Sequence, residues 1–502
     1  MTTWQARDPV LHGLPLIVTA AAIHGVLEPG QALGIDGREV VQALVRREIA
    51  RLNNAGRAAG LGENGGGRLS AMAVLRGEVD AACLRRLAAP ELEMGLPAPD
   101  RIVDAISGLP WWDGDKWAAP QPDIAAAVLL HRVLQERTDI APEWLWAALQ
   151  DSDKTVIEKL GQVDYDISLI LGGANNKFSG MLVDMLGNDV KRAMTLSYFV
   201  GVVQPSLGLN YLAVRIAELL IQNEQWPDRR AIFLTNLFAY RAAIGESQGA
   251  IKAAREAVEI GREIATAHPD MYLPFLSELL RRLSKYLSSY GDLQEELGAK
   301  QEEITINRKL AATGDERHCN NLALSLTQLS SLYSKVGKAP KALAAAREAV
   351  ETYRDLAVVQ PEIYRPDLAA YLNNLGNWLS DNGDAAGALA AAQEAVAIYR
   401  DLAAARPEVY RPNLATSLIN LGNRLSENGD AAAALAAAQE AIETLAPAFH
   451  ALPRRHAALM KYIAKEYPAY CDEADIEPDA TLLGPIVDAL QRLADEGDGE
   501  AG

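Results

Sequence analysis

The sequence predicts an all-α fold whose second half is a solenoid of stacked helical hairpins. Three observations carry that expectation: a long stretch written almost twice, leucines spaced for one face of a helix, and a composition rich in alanine and leucine with few β-branched runs.

The duplicated stretch is 361–449. Pro361 returns as Pro407, Tyr364 as Tyr410, Gly376 as Gly422 and Gly383 as Gly429, a period of 46 residues. A fixed period of that length marks an array of helical units, each too small to bury its own apolar face. Within one unit, Leu368, Leu372, Leu375 and Leu379 fall on one side of a first helix. Asn382-Gly383 ends it, because glycine accepts the left-handed backbone that a helix terminus needs. Asp384 then caps a second helix carrying Ala388, Leu389, Ala392, Ala395, Val396 and Tyr399. Stepping back by the period, Gly383 leads to Gly337, Gly291 and Gly245, Leu372 to Leu326, Leu280 and Leu234, and Glu394 to Glu348, Glu302 and Glu256. Five units therefore span 226–447.

The spacing Leu372-x2-Leu375-Gly376-x2-Leu379, followed by Ala388-x3-Ala392, resembles the tetratricopeptide repeat. Leucine stands for that family's Trp and Tyr, alanine for its Phe, and the terminal Pro is missing. The extra length lies in the connector 406–412, as in kinesin-light-chain-like arrays. The resemblance implies a right-handed α-solenoid.

Residues 448–493 read as C-terminal capping helices and 494–502 as a disordered acidic tail. Before the array, 151–225 reads as a helical connector and N-terminal cap, and 1–150 as a separate helical domain. In that domain Val41, Leu44, Val45 and Ile49 face inward on a helix, with Arg46, Arg47 and Arg51 outward. Gly60 to Gly67 reads as a flexible connector. A turn at Gly77 and a short helix begun by Asp80 follow, then a hairpin bearing Trp111, Trp112 and Trp117 around Asp113-Gly114. His131, Trp144 and Trp146 are expected in the core or at a helix contact.

Gly13-Leu14-Pro15-Leu16 opens an apolar run and resembles the GLPL element that follows the nucleotide-binding domain of STAND-type NTPases of the NB-ARC and NACHT-like kind. The helices and hairpin behind it resemble the winged-helix module of those proteins. The resemblance implies a place for Pro15 against adenine, yet no G-x4-G-K-[ST] occurs in the chain. The expected molecule is thus a STAND-type remnant without its P-loop domain, followed by a tetratricopeptide sensor. It would act in bacterial signalling or defence, with an NTPase or effector module upstream or on a separate chain. An NTP-dependent switch completed in trans is the alternative. A winged-helix DNA-binding regulator is the next, suggested by Arg46, Arg47, Arg51, Arg57, Arg85 and Arg86 but opposed by a net charge of −18.

No catalytic or metal constellation stands out and no cofactor is expected. Gly245-Glu246-Ser247-Gln248-Gly249 matches G-x-S-x-G but falls on a hairpin turn, where a nucleophile elbow has no strand. His318 occupies a tyrosine slot of the repeat, and Glu302-Glu303 reads as a solvated pair. The three cysteines lie far apart, which fits a reducing cytoplasm, and Leu14 to Val26 is too short to span a bilayer. The informative positions lie opposite the leucine face of each first helix: Gln328 and Ser331, then Tyr371, Asn374, Asn377 and Trp378, then Asn420, Asn423 and Arg424. An amide both donates to and accepts from a peptide main chain, so this stripe is the expected groove for a protein or peptide ligand.

Overall fold

A computed structural model describes residues 37–118, 123–151, 155–171, 178–200, 207–290 and 292–499. The GLPL-like motif at 13–16 lies outside them. The chain forms two compact units, Met1–Ile260 and Gly261–Gly502.

The first unit contains α1 (Gly37–Ala58), α2 (Gly65–Arg76), β1 (Glu78–Asp80), α3 (Ala81–Leu87), α4 (Ile102–Ile106) and β2 (Lys116–Ala118). Next come α5 (Asp123–Glu136), α6 (Ala141–Leu149), α7 (Thr155–Leu171), α8 (Phe178–Leu186), α9 (Val190–Val200), α10 (Leu207–Asn223), α11 (Pro227–Ala243) and most of α12 (Ser247–Ala267). Its centre is α2, which packs against α1, α5, α6 and both strands, with every residue from Leu69 to Leu75 buried. The glycines expected to form a flexible connector do the opposite. Gly65, Gly66 and Gly67 are buried in the first turn of α2, and a Cβ on Gly66 would stand 2.2 Å from the Leu52 carbonyl oxygen. They are there for close backbone approach rather than for flexibility.

The Asp80 carboxylate caps α3 by accepting from the Cys83 backbone N–H at 2.7 Å. Trp112 bridges Trp117 across a turn in which Asp113 accepts from the backbone N–H groups of Asp115 and Lys116. On its other side Trp117 pairs with Val79 in the two-stranded antiparallel sheet, and its ring is fully buried. Trp144 is likewise buried, its indole N–H donating to the Leu92 carbonyl. The unit extends past 225 because Phe233 and Tyr240 of α11 pack onto this same core.

The second unit repeats one construction. Its elements are α13 (Pro269–Ser288), α14 (Leu293–Ala311), α15 (Glu316–Lys335), α16 (Ala339–Val359), α17 (Pro361–Asp381), α18 (Ala385–Ala405), α19 (Pro407–Glu427), α20 (Ala431–Ala451), α21 (Pro453–Glu473) and α22 (Ala480–Gly499). Each helix packs on the next, so hairpins follow hairpins in an α-solenoid. Proline opens α13, α17, α19 and α21, where a missing N–H costs nothing.

The bend between paired helices is a Schellman turn. Gly383 has φ +81°, its N–H donates to the Ser380 carbonyl at 2.8 Å, and the Asp384 N–H reaches back to Leu379 at 2.8 Å. Gly337 and Gly429 repeat it in this unit, and Gly245 does so between α11 and α12. Asp475 takes the same slot with φ +55°, and the Ile476 N–H closes the same ring onto Cys471 at 3.0 Å. Hence α21 and α22, expected as capping helices, form a further hairpin of this kind, and α22 runs on to Gly499 into the segment expected to be tail.

Nothing lies within 4 Å of a Cβ built on Gly383, so only backbone strain opposes a side chain there. Gly383→Ala should lower unfolding free energy by about 1–2 kcal/mol in urea titrations, whereas Asp475→Gly should lower it not at all. Equal effects from the two would show that the turn conformation is unimportant.

Candidate functional site

The stripe residues keep their register. Gln328, Asn374 and Asn420 occupy one position of α15, α17 and α19, and Ser331, Asn377 and Asn423 another three residues on. Gln328, Ser331, Asn374 and Asn377 are exposed; Tyr371, Trp378, Asn420, Asn423 and Arg424 are half-buried. Several of these also hold the wall together. Tyr371 stacks on Tyr353 with ring centroids 4.5 Å apart, Asn423 accepts from the Tyr470 hydroxyl, and Arg424 pairs with Glu427 at 3.0 Å. First helices also join directly: Asn373 donates to Ser417 at 2.7 Å, Ser380 to Glu427 at 2.7 Å and Ser426 to Glu473 at 2.6 Å. The stripe is thus part seam and part open surface, and Asn374 and Asn377 are its most open amides.

Sequence reasoning missed two features. The first lies along the second helices, where Arg262, Arg308, Arg354 and Arg400 each form a two-pronged pair with the glutamate forty positions on. The Nη2 to Oε2 distances are 2.6, 2.7, 2.5 and 2.6 Å to Glu302, Glu348, Glu394 and Glu440. Both partners sit in register, so the ladder could have been found by stepping arginines as well as glutamates. Its members are from a third to about half exposed, which limits each rung to about 0.2–1 kcal/mol and makes it sensitive to salt.

The second feature is a polar layer confined to α14. At the inward positions where α16, α18 and α20 carry Ala342, Ala388 and Ala434, α14 has Glu296; where they carry Ala346, Ala392 and Ala438, it has Lys300. Glu303 stands for Ala349, Ala395 and Ala441, and Asn307 for Tyr353, Tyr399 and Leu445. All four polar groups are buried, Glu303 completely. The pair Glu302-Glu303 is therefore not simply solvated: one residue joins the ladder and its neighbour, a hundred degrees round the helix, enters the core.

Most of the layer is satisfied by a chain of hydrogen bonds. Ser277 donates to Asn307 at 2.6 Å, Asn307 to Ser325 at 3.3 Å and Ser325 to Glu303 at 2.5 Å. Lys300 donates to Glu303 at 2.6 Å and to Gln328 at 2.7 Å, so the chain surfaces at the stripe. There it meets a cleft of about 320 Å³ between α13 and α15, floored by Glu296 and Lys300 and walled by Arg281, Lys285, Ser331 and Lys335. Burial pushes the Glu296 carboxyl above its ordinary range, against the pull of Lys335 and a hydrogen bond from Ser288. Its Oε2 atom is buried with no partner.

Of the arginines singled out in the first unit, Arg46, Arg47, Arg57 and Arg85 are exposed, while Arg51 and Arg86 make contacts within the fold. Arg51 pairs with Glu48 at 2.8 Å and lies over Trp111, while Arg86 binds Asp151 at 3.0 Å and the Gln150 carbonyl at 2.8 Å. Ser247 opens α12, preceded by a helix and the Gly245 turn rather than by a strand. No described helix is long and apolar enough to cross a membrane.

A family model of the tetratricopeptide repeat matches residues 368–403 and 414–445, which makes the hairpins there tetratricopeptide repeats. A second model, of anaphase-promoting complex subunit 5, matches 221–271 and 285–358. No curated protein matches the sequence. Similar solved structures include a signal transduction ATPase with numerous domains and a tetratricopeptide repeat sensor from Pyrococcus horikoshii, 13% identical with a TM-score of 0.40. The match covers 85% of this chain and 62% of that one. BtubC (BKLC) from P. vanneervenii is 19% identical with a TM-score of 0.35, over 54% of this chain and 91% of that one. The TPR2AB domain of yeast Sti1, in a complex with pHSP90, is 16% identical with a TM-score of 0.22, over 58% and 99%.

The buried pair supplies a test of the layer. Lys300→Ala leaves Glu303 uncompensated and should cost about 3–5 kcal/mol, whereas Lys300→Ala with Glu303→Ala restores the alanine pattern and should recover much of that loss. Chemical denaturation of the two variants reads the difference; equal losses would mean that the charges are not coupled.

Proposed function

We propose that this chain is a non-catalytic interaction protein whose tetratricopeptide array holds an extended protein or peptide segment against the first helices of successive hairpins. The observation that carries this reading is the stripe: amide and hydroxyl side chains recur at one register on α15, α17 and α19, with Gln328, Ser331, Asn374 and Asn377 exposed. Successive repeats offer a donor and acceptor at a regular interval, and an extended main chain presents the complementary groups at intervals of its own. Asn420, Asn423 and Arg424 line the far end, with Tyr371 and Trp378 as the aromatic components.

The finer reading is that the array senses a trigger in STAND-type bacterial signalling or defence. The first unit is then a winged-helix-like remnant that docks on an NTPase or effector module, upstream or separate. Its support is the Gly13–Leu16 motif together with the tryptophan hairpin turning at Asp113-Gly114. A DNA-binding role is disfavoured by the net charge of −18.

Site-specific photocrosslinking tests the groove. A photoreactive amino acid at position 377 should yield an adduct with a protein partner in cells, and one at position 358, an exposed site on a second helix, should not. Asn374→Arg should abolish the adduct without changing the thermal midpoint, since surface substitutions seldom alter stability by more than about 0.5 kcal/mol. Adducts of equal yield at both positions, or none at 377, would remove the groove from consideration.

A further inference from the structure

The solenoid has an edge that the stripe does not use, the row of short connectors between one hairpin and the next. Three successive connectors are apolar and open. Val358 and Val359 end α16 and Ile363 lies in the first turn of α17; one period on stand Ala404, Ala405 and Val409, and in the next connector Ala451 and Leu452. Val358 is 84% exposed, and Val359, Ile363, Val409 and Leu452 are between 48 and 69% exposed. The preceding connector has Ala312, Thr313 and Arg317 in the slots of Val358, Val359 and Ile363, so the fold does not demand apolar residues there. An exposed apolar row of this kind marks a contact surface.

The charges that border the row state what covers it. The helices α11, α13, α15, α17 and α19 each carry an acid in the first turn, Asp228, Asp270, Glu316, Glu362 and Glu408, where it suits the helix dipole. In α21 the pattern breaks. Its first turn has no acid, and exposed Arg454 and Arg455 stand in the slots of Glu408 and Val409, against the dipole. The row therefore runs from an acidic end at Glu362, past Val409, to a basic end at Arg455. Such a surface is complementary to itself when reversed.

Turned about a two-fold axis through Val409, Glu362 of one copy meets Arg455 of the other at both ends, and Val358 and Val359 meet Leu452. Near the axis Glu408 approaches its own copy, and Arg411, one turn along the same face, offsets the two charges. Its counterpart Arg365 is bound to Asp401 at 2.6 Å, whereas Pro447 takes the matching place for Arg411. The other reversal, with Ile363 against Val409, sets Glu362 against Glu408 and Arg317 against Arg455 twice over. Like charges in those places disfavour it.

We infer that the connector edge of the second unit is an isologous interface for a second copy of this chain, with Val409 on the axis and Glu362 opposite Arg455 at both ends. This goes beyond the groove reading and shares no residue with the stripe.

Sedimentation velocity on the full chain, over about two decades of concentration around the micromolar range, tests it. The weight-average mass should rise from one chain to two. Val359→Glu with Ile363→Glu should keep the chain monomeric throughout with an unchanged thermal midpoint. Glu362→Arg alone and Arg455→Glu alone should each weaken self-association at least tenfold. An equimolar mixture of those two variants should associate as tightly as the unaltered chain, because each mixed pair restores both contacts with opposite sign. A chain that stays monomeric at every concentration would overturn the inference, as would a dimer indifferent to Val359→Glu with Ile363→Glu. A mixture no tighter than its components would overturn it too, since Glu362 would not then face Arg455. A photoreactive group at position 358 should link the chain only to itself, an adduct of twice the chain mass that stands apart from the partner adduct at position 377.

Discussion

Close approach of alanine-faced helices is the constraint on which the array depends. Ala388, Ala395, Ala434 and Ala441 are fully buried, and a Cβ on Gly376 or Gly422 would lie 3.4 Å from the carbonyl oxygen of Ala388 or Ala434. Such faces offer little apolar area per residue, so a lone hairpin gains too little to offset the entropy of ordering forty residues. Stability comes from repetition: tyrosines from one hairpin reach the next, with Tyr353 against Tyr364 and Tyr399 against Tyr410 at 6.4 Å in both cases. The arginine ladder adds a weak electrostatic register on the second helices, and the serine and asparagine bonds add another on the first.

Set against that economy, the polar layer in α14 is an anomaly that packing does not require. Alanine at positions 296, 300 and 303 would match α16, α18 and α20 and avoid three buried ionisable side chains. The layer also couples places that an apolar face would leave independent. Ser277 on α13, Asn307 and Glu303 on α14, and Ser325 and Gln328 on α15 form one chain of donors and acceptors. The exposed amide of Gln328 is thereby tied through Lys300 to buried groups on α13 and α14.

Legibility followed the physics of each element. The hairpins could be read because glycine at a left-handed bend and leucine on a helix face are local requirements that recur at a fixed offset. The last hairpin was harder, since Asp475 meets the same backbone demand with a different residue and the glycine register stops at Gly429. Gly65 to Gly67 read as loose chain because composition cannot show that Leu52 stands behind them. The ladder joins residues forty apart on different helices, beyond any single-helix pattern, and Glu303 looked solvated because its neighbour is. Among the groove residues, helical spacing identified which faced outward, but not that Tyr371 and Asn423 were already engaged by Tyr353 and Tyr470.

This last distinction bears on how a tetratricopeptide wall acquires specificity. A residue that bridges hairpins cannot be replaced freely, so the seam positions carry architecture and only the open ones are free to meet a ligand. Here the open positions change character along the stripe. Lys285 and Lys335 lie at its start, amides at 374 and 377 in the middle, and Asp381, Glu427 and Glu473 at the slots that Lys335 begins. Two of those acids are fixed by serine hydroxyls, so their placement is held by the wall itself. Glu427 is in addition paired with Arg424 at 3.0 Å, so at this end of the stripe acid and base are already matched within the wall.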